Sequence, residues 1–245
     1  MTANVTVGML YPGFSAEDDY PRMERLLGGE VSLPVVHTSM DEDAHRVDAL
    51  LDLGGPQRLA EGAEALRPYA PDSVMWACTS GSFVFGWEGA HAQVEGVQEI
   101  LGVPVSSTSL AFVRAVHELG INTVAIAATY PHAVARRFVE FLGAAGIEVA
   151  GMSSQDIVTA AEVGTLGRDR VLELATSYDD PRAEAVLIPD TALHSVEWVE
   201  DIEVHVGKPV LTANQVTVWE GLRLAGTSAT YPGVGTLFRG IPSTH

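Results

Sequence analysis

Only one of the 245 residues is a cysteine, Cys78. That scarcity excludes an intrachain disulfide framework and a cysteine-rich zinc site. Basic residues are also few: 14 Lys and Arg stand against 32 Asp and Glu, a formal charge of −18. A field of that sign repels nucleic acid and anionic membrane surfaces, which are bound largely through Lys and Arg, so neither is expected as a partner. It would also slow an anionic substrate, so an anion site must work through local donors. Long apolar runs are missing too, and none approaches the length of a membrane span. The opening Met1-Thr2-Ala3-Asn4-Val5 lacks the basic stretch that begins a secretory leader. The expectation is a soluble protein of the cytoplasm, a reducing compartment. With 47% hydrophobic and 19% charged residues, the chain is globular rather than disordered, long enough for one large domain or two lobes.

What is present is an alternation. Short apolar runs predict strands over 5–10, 31–36, 73–77, 103–106, 123–128, 148–151, 185–188 and 209–211. Between them, helical segments are read at 43–52, 57–66, 109–119, 132–145, 167–177, 195–204 and 215–224. Strands alternating with helices imply βαβ units and parallel sheets. A faint internal repeat runs through this pattern. Val7-Gly8-Met9-Leu10-Tyr11-Pro12 is echoed by Ala125-Ile126-Ala127-Ala128-Thr129-Tyr130-Pro131, and the strand before Cys78-Thr79 by Val186-Leu187-Ile188-Pro189-Asp190-Thr191. Pro104-Val105 with its following turn and helix is echoed by Pro209-Val210. Three landmarks in one order favour duplication of a four-strand unit. The expected fold is α/β: two similar flavodoxin-like lobes, each a four-stranded parallel sheet flanked by helices, related by a pseudo-twofold axis. Residues 1–108, completed by 214–245, form the first lobe in this reading, and 109–213 the second.

Ligands of open parallel sheets bind outside the carboxyl ends of the strands. Lobes facing each other would bring Cys78 and Asp190 to one cleft from opposite sides, with Tyr11 and Tyr130 lining it. Val74-Met75-Trp76-Ala77 reads as a buried strand, and Cys78-Thr79-Ser80-Gly81-Ser82 opens the next segment. A thiol before a helix N-terminus faces unpaired N–H groups, which favour the thiolate. A buried, inert core cysteine is the competing reading. A carboxyl in a closed cleft shifts up by desolvation, so a Cys78/Asp190 pair would titrate together, as thiolate with neutral acid or thiol with carboxylate. Asp190 also reads as a helix N-cap, and Thr79 with Ser80 as caps of the segment after Cys78. Tyr130 could instead be a packed strand-end aromatic.

Other signals carry less. Asp190 and His194 are spaced for one helical face, but a lone pair without a third ligand makes a poor metal site, and no metal is expected. His37, His45 and His91 read as surface or loop histidines, and Glu17-Asp18-Asp19 as a solvated helix entrance. Trp87, Trp198 and Trp219 read as packing residues. Gly233-x-Gly235 lacks the strand–turn–helix context of a dinucleotide loop, and Ser80-Gly81-Ser82 lacks the spacing of a nucleophile elbow.

Ala77-Cys78-Thr79-Ser80-Gly81-Ser82-Phe83 resembles the first cysteine motif of maleate cis-trans isomerases. Asp190-Thr191-Ala192-Leu193-His194 resembles their second, in which a cysteine precedes Thr-x-Leu-Arg. Pro209-Val210 followed by Asn214-Gln215 and Trp219 is similar to the same family. The tail Tyr231-Pro232-Gly233-Val234-Gly235-Thr236-Leu237-Phe238 is similar to the end of arylmalonate decarboxylases, as is Ala127-Ala128-Thr129-Tyr130. Both families belong to the aspartate/glutamate racemase superfamily, and the resemblance spans nearly the whole chain. It implies two facing acid/base groups working without cofactor, Cys78 and Asp190 here, and a nest of donors that stabilises an enediolate. Thr79, Ser80, Tyr130 and the backbone at Thr191 take that role by resemblance, with Tyr11 and Asn214 beside the substrate. Such neutral, preorganised donors suit charge developing on a substrate carboxylate.

The departures are specific. Asp190 replaces the isomerases' second cysteine, and His194 stands where they carry Arg, a lost carboxylate clamp. Decarboxylases carry Gly at the first position and cysteine at the second, the reverse of this chain. Pro131 removes an N–H that decarboxylases use, and Tyr11-Pro12-Gly13-Phe14 replaces the isomerases' Pro-Ser-Ser-Asn loop. The resemblance therefore implies a cofactor-independent isomerase or racemase of the maleate isomerase type, acting on a small carboxylic or dicarboxylic acid other than maleate. Decarboxylation of a substituted malonate is the alternative, and a two-lobe carboxylate-binding protein without catalysis is a third. A homo-oligomer is compatible with the sequence and not specified by it.

Overall fold

The computed structural model describes residues 5–178, 180–227 and 230–239. Met1-Thr2-Ala3-Asn4, read above for lack of basic residues, and 240–245 of the C-terminal segment lie outside them. The strands are β1 (Val5–Pro12), β2 (Val31–Ser32), β3 (Val35–Thr38), β4 (Ser73–Trp76), β5 (Val105–Ser107), β6 (Thr123–Ala128), β7 (Glu148–Ser154), β8 (Ala185–Ile188) and β9 (Val210–Thr212). All their pairings are parallel. Central strands β4 and β8 are buried along their whole length, as sheets covered on both faces require.

The strand expected over 31–36 is split into β2 and β3. Both pair with β1 in one continuous register, Val5 opposite Val31 and Met9 opposite Val35. Pro34 interrupts the ladder because it has no N–H to donate, while its carbonyl still accepts from the Met9 N–H at 2.8 Å. The first sheet thus has four strand positions, ordered β2/β3, β1, β4, β5, and the second repeats them as β7, β6, β8, β9. The duplication read from three sequence landmarks is a duplication of topology.

The repeat extends to the helices after the last strand of each sheet. Ser107 caps the helix Thr108–Glu118, its hydroxyl accepting from the Leu110 N–H at 3.3 Å. At the matching place, Gln215 accepts from the Thr212 N–H at 3.1 Å to begin Ala213–Leu224. The two helices meet, with the Thr108 and Thr217 hydroxyls 2.6 Å apart. Helix Ala213–Leu224 also seats on the first sheet: the Ser73 hydroxyl donates to the Gly221 carbonyl at 2.7 Å. A Cβ at Gly221 would fall 2.3 Å from Val7, so only glycine allows that approach.

Helices Asp19–Leu26 and Ser80–Phe83 follow the expected entrances at 17–19 and after Cys78, and Gly86–Leu101 adds to those expected. The last contains Gly86, Gly89 and Gly96, poor helix formers, yet it buries Ala90, Val94 and Val97 on one face. Packing outweighs propensity there. Trp87 and Trp219 pack against the core of the first sheet and Trp198 against that of the second, as expected.

Candidate active site

β4 ends at Trp76, and the Ala77 N–H donates to the Leu10 carbonyl at 2.8 Å, the last sheet-like bond before Cys78. β8 ends at Ile188, and Asp190 follows at the matching place of the second sheet. Cys78 and Asp190 line one cavity of about 40 Å³, together with Tyr11, Ser80, Thr191 and His45. That volume holds a few water molecules.

Cys78 is buried, and its Sγ accepts from the Gly81 N–H at 3.3 Å. Of the two forms left open by the sequence, the thiol is the one favoured at rest. Burial pushes the thiol up to about 12, and the charge of Asp190 adds to the rise; bonds from Gly81 and Ser80 act against it and lose. The helix Ser80–Phe83 has only four residues, so its dipole is small. The expected capping by Thr79 is not made. Its buried hydroxyl meets no hydrogen-bond geometry with any described residue, and its carbonyl accepts from Ser109 at 2.7 Å. One consequence is measurable because Cys78 is the only cysteine. Alkylation by iodoacetamide should rise about tenfold per pH unit without levelling off near about 8.5, where a free thiol titrates. A plateau at that pH in the folded protein would show that burial does not govern the thiol.

Asp190 is buried, and its carboxylate is held at both oxygens. Oδ1 accepts from the Ala192 N–H at 2.9 Å, and the Thr129 hydroxyl donates to Oδ2. Burial raises its carboxyl above the usual range; His45, Thr129 and Ala192 oppose that, and Asp43 adds to it. The residues after Asp190 form a turn, and helical structure begins only at Val196. Asp190 therefore caps a turn and no helix, and shares no helical face with His194. The His194 ring lies 2.6 Å from Asp18. Among the described residues no group of three or more His, Cys, Asp or Glu could hold a metal ion.

Of the other residues singled out by sequence, Tyr11, Ser80 and Thr191 are in the cavity wall, while Thr79, Tyr130 and Asn214 stand outside it. The Tyr11 hydroxyl spans the lobes, donating to the Thr191 carbonyl at 3.0 Å and accepting from the Ala16 N–H at 3.1 Å. The Tyr130 hydroxyl donates to the Pro189 carbonyl, fixing the turn into Asp190. Asn214 donates to the Thr191 carbonyl at 3.2 Å and to Asp19 at 3.0 Å. Burial raises both tyrosines above their ordinary range, so both remain neutral donors.

Two expectations are corrected. Asp19 is not solvated: it is 1% exposed and accepts from the Ser195 N–H at 3.0 Å as well as from Asn214. His45 is not a surface residue: it is 8% exposed and faces the cavity. His37 is exposed, stacked on Phe14, and His91 half-buried beside Trp87. The helix expected from residue 43 begins at Val47, because 43–46 is engaged elsewhere. Asp43 accepts from the Ala160 and Ala161 N–H groups at 2.7 and 3.0 Å, and the His45 N–H donates to Val158 at 2.8 Å. Asp43 thus caps a helix of the facing lobe, which draws this loop across the cleft.

The arylmalonate decarboxylase family matches residues 55–238. A maleate isomerase of Geobacillus stearothermophilus is 28% identical over 138 residues, 56% of this chain and 55% of that protein, so the chain spans about half its length. An arylmalonate decarboxylase of Bordetella bronchiseptica is 26% identical over 185 residues, 74% of this chain and 77% of that one. The structure of a Nocardia farcinica maleate cis-trans isomerase variant with a covalently bound succinylcysteine intermediate superimposes with a TM-score of 0.87 at 23% identity, covering 96% of this chain and 98% of that one. That likeness is one of fold.

Proposed function

This chain belongs to the arylmalonate decarboxylase family, and we propose that it is a cofactor-independent isomerase or racemase of a small carboxylic acid, worked by Cys78 and Asp190. Asp190, as carboxylate, takes the proton from the carbon beside the substrate carboxyl. Cys78, as thiol, returns a proton to the opposite face. Between the two steps the charge sits on the substrate carboxylate as an enediolate. Ser80 and the Thr191 backbone, both in the cavity wall, are the neutral donors assigned to it. The observation that carries this reading is a protonated thiol and a buried carboxyl in one small cavity, at matching ends of two like sheets. The covalent route, in which the sulfur adds to a double bond, needs a thiolate that burial disfavours.

Malonate decarboxylation is the second reading. The family match favours it, and so does the resting thiol, which can protonate the enediolate left after carbon dioxide departs. Asp190 would then repel the departing carboxylate. Incubation in deuterated water with maleate, phenylmalonate and chiral 2-substituted acids, followed by proton NMR and carbon dioxide detection, tests both. The first reading predicts inversion of a chiral acid with uptake of solvent deuterium. Carbon dioxide release without exchange into any intact acid would replace it with the second.

A further inference from the structure

A carboxylate entering this cavity meets Asp190, Asp43 and Glu42 in a chain of charge −18. Neither Lys nor Arg lines the wall, and among the described lining residues His45 alone can become positive. Arg46, next in sequence, is spent on Glu42 and Asp48, at 3.0 and 2.7 Å. His194, at the position where the sequence suggested a lost clamp, sits against Asp18.

The hydrogen bonds of His45 define its tautomer. Nδ1 lies 3.0 Å from the Ile157 carbonyl, which can only accept, so Nδ1 carries a hydrogen. Nε2 is left as the titrating nitrogen: a lone pair in the neutral ring, a second donor in the imidazolium. The ring is held edge-on to Tyr130, with centroids 4.9 Å apart and planes at 89°. Its placement is therefore set by the backbone, by Ile157 and by Tyr130, while Nε2 makes no hydrogen bond among the described residues.

We infer that His45, in its imidazolium form, binds the substrate carboxylate through Nε2–H, so that binding is linked to protonation of this ring. The inference rests on the carboxylate reading of the site proposed above. The groups that face His45 are Asp190, Cys78 and Tyr11 around the cavity, and Tyr130 against the ring. Glu42, Asp43, Arg46 and Asp48 stand on its own segment, and Asp156 beside Ile157. Acids predominate around the ring. One proton is taken from solvent for each carboxylate bound to a neutral ring. Where the free ring is neutral, affinity then falls up to about tenfold per pH unit.

Calorimetric titration of the wild-type protein with malonate and with succinate, in buffers of different ionisation heat at about pH 7.5, counts the protons taken up. The expected result is uptake approaching one proton, with affinity falling as pH rises. His45→Asn keeps a donor for Ile157 but has no second nitrogen to protonate. It should bind at least about tenfold more weakly at about pH 6, with no uptake. His45→Lys should restore binding and keep it level to higher pH. Binding by the wild type without proton uptake, or unchanged uptake in His45→Asn, would overturn the inference while leaving the carboxylate reading standing. Failure of the wild type to bind either acid, or any acid of the panel above, would remove both. Absence of uptake in the wild type overturns the inference even if a variant does not fold.

Discussion

Cys78→Ala is expected to lower turnover by about 10²- to 10⁴-fold, the range contributed by a positioned proton donor. The sulfur stands at the end of β4 with one N–H bonded to it and burial holding its proton in place. Alanine removes the group assigned to return a proton to carbon. The change removes one buried atom, so stability should drop by only about 1 kcal/mol. Rate and urea-melting measurements on the same preparation separate the two. Near wild-type turnover would make Cys78 a core residue, as its burial alone allows.

Asp190→Asn should cost turnover by a similar factor of about 10²–10⁴, and here stability should not fall. Asn keeps an oxygen for the Ala192 N–H, and the Thr129 hydroxyl can turn to accept from the new amide. Capping of the turn is thereby retained. The wild-type carboxyl has a raised folded-state pKa because of burial. Its ionisation therefore weakens the fold as pH rises through that value, and asparagine is spared this loss. The variant should be as stable as the wild type in acid and more stable towards neutral pH. A thermal melt against pH checks this. A variant that loses stability and activity together would mark Asp190 as a structural residue.

Much of this architecture was legible. The bounds of β6 and β8 coincide with the expected strands, because each is a short, uninterrupted apolar run in a polar setting. The pairing of Cys78 with Asp190 across one cavity followed from the repeat, without a direct sequence link between them. What was not legible depends on contacts far along the chain. His45 lies in Asp41-Glu42-Asp43-Ala44-His45-Arg46, a charged run that reads as solvated. It is buried by the Ile157 and Val158 carbonyls, more than a hundred residues later. Asp19 is likewise buried by Ser195 and Asn214. The choice between thiolate and thiol at Cys78 stays open in the sequence for a related reason: a helix start is visible there, whereas the desolvation that outweighs it is not.

The opposition of Cys78 and Asp190 as donor and acceptor is tested most directly by the early isotope distribution. A single enantiomer of a turned-over 2-substituted acid is incubated in deuterated water, and substrate and product are examined by NMR before reversal sets in. Two groups on opposite faces predict one deuterium at the inverted carbon of the product and none in the recovered substrate. Asp190→Asn and Cys78→Ala should each suppress that product. Deuterium appearing in recovered substrate as fast as in product would mean that a single group serves both faces, and would contradict the account.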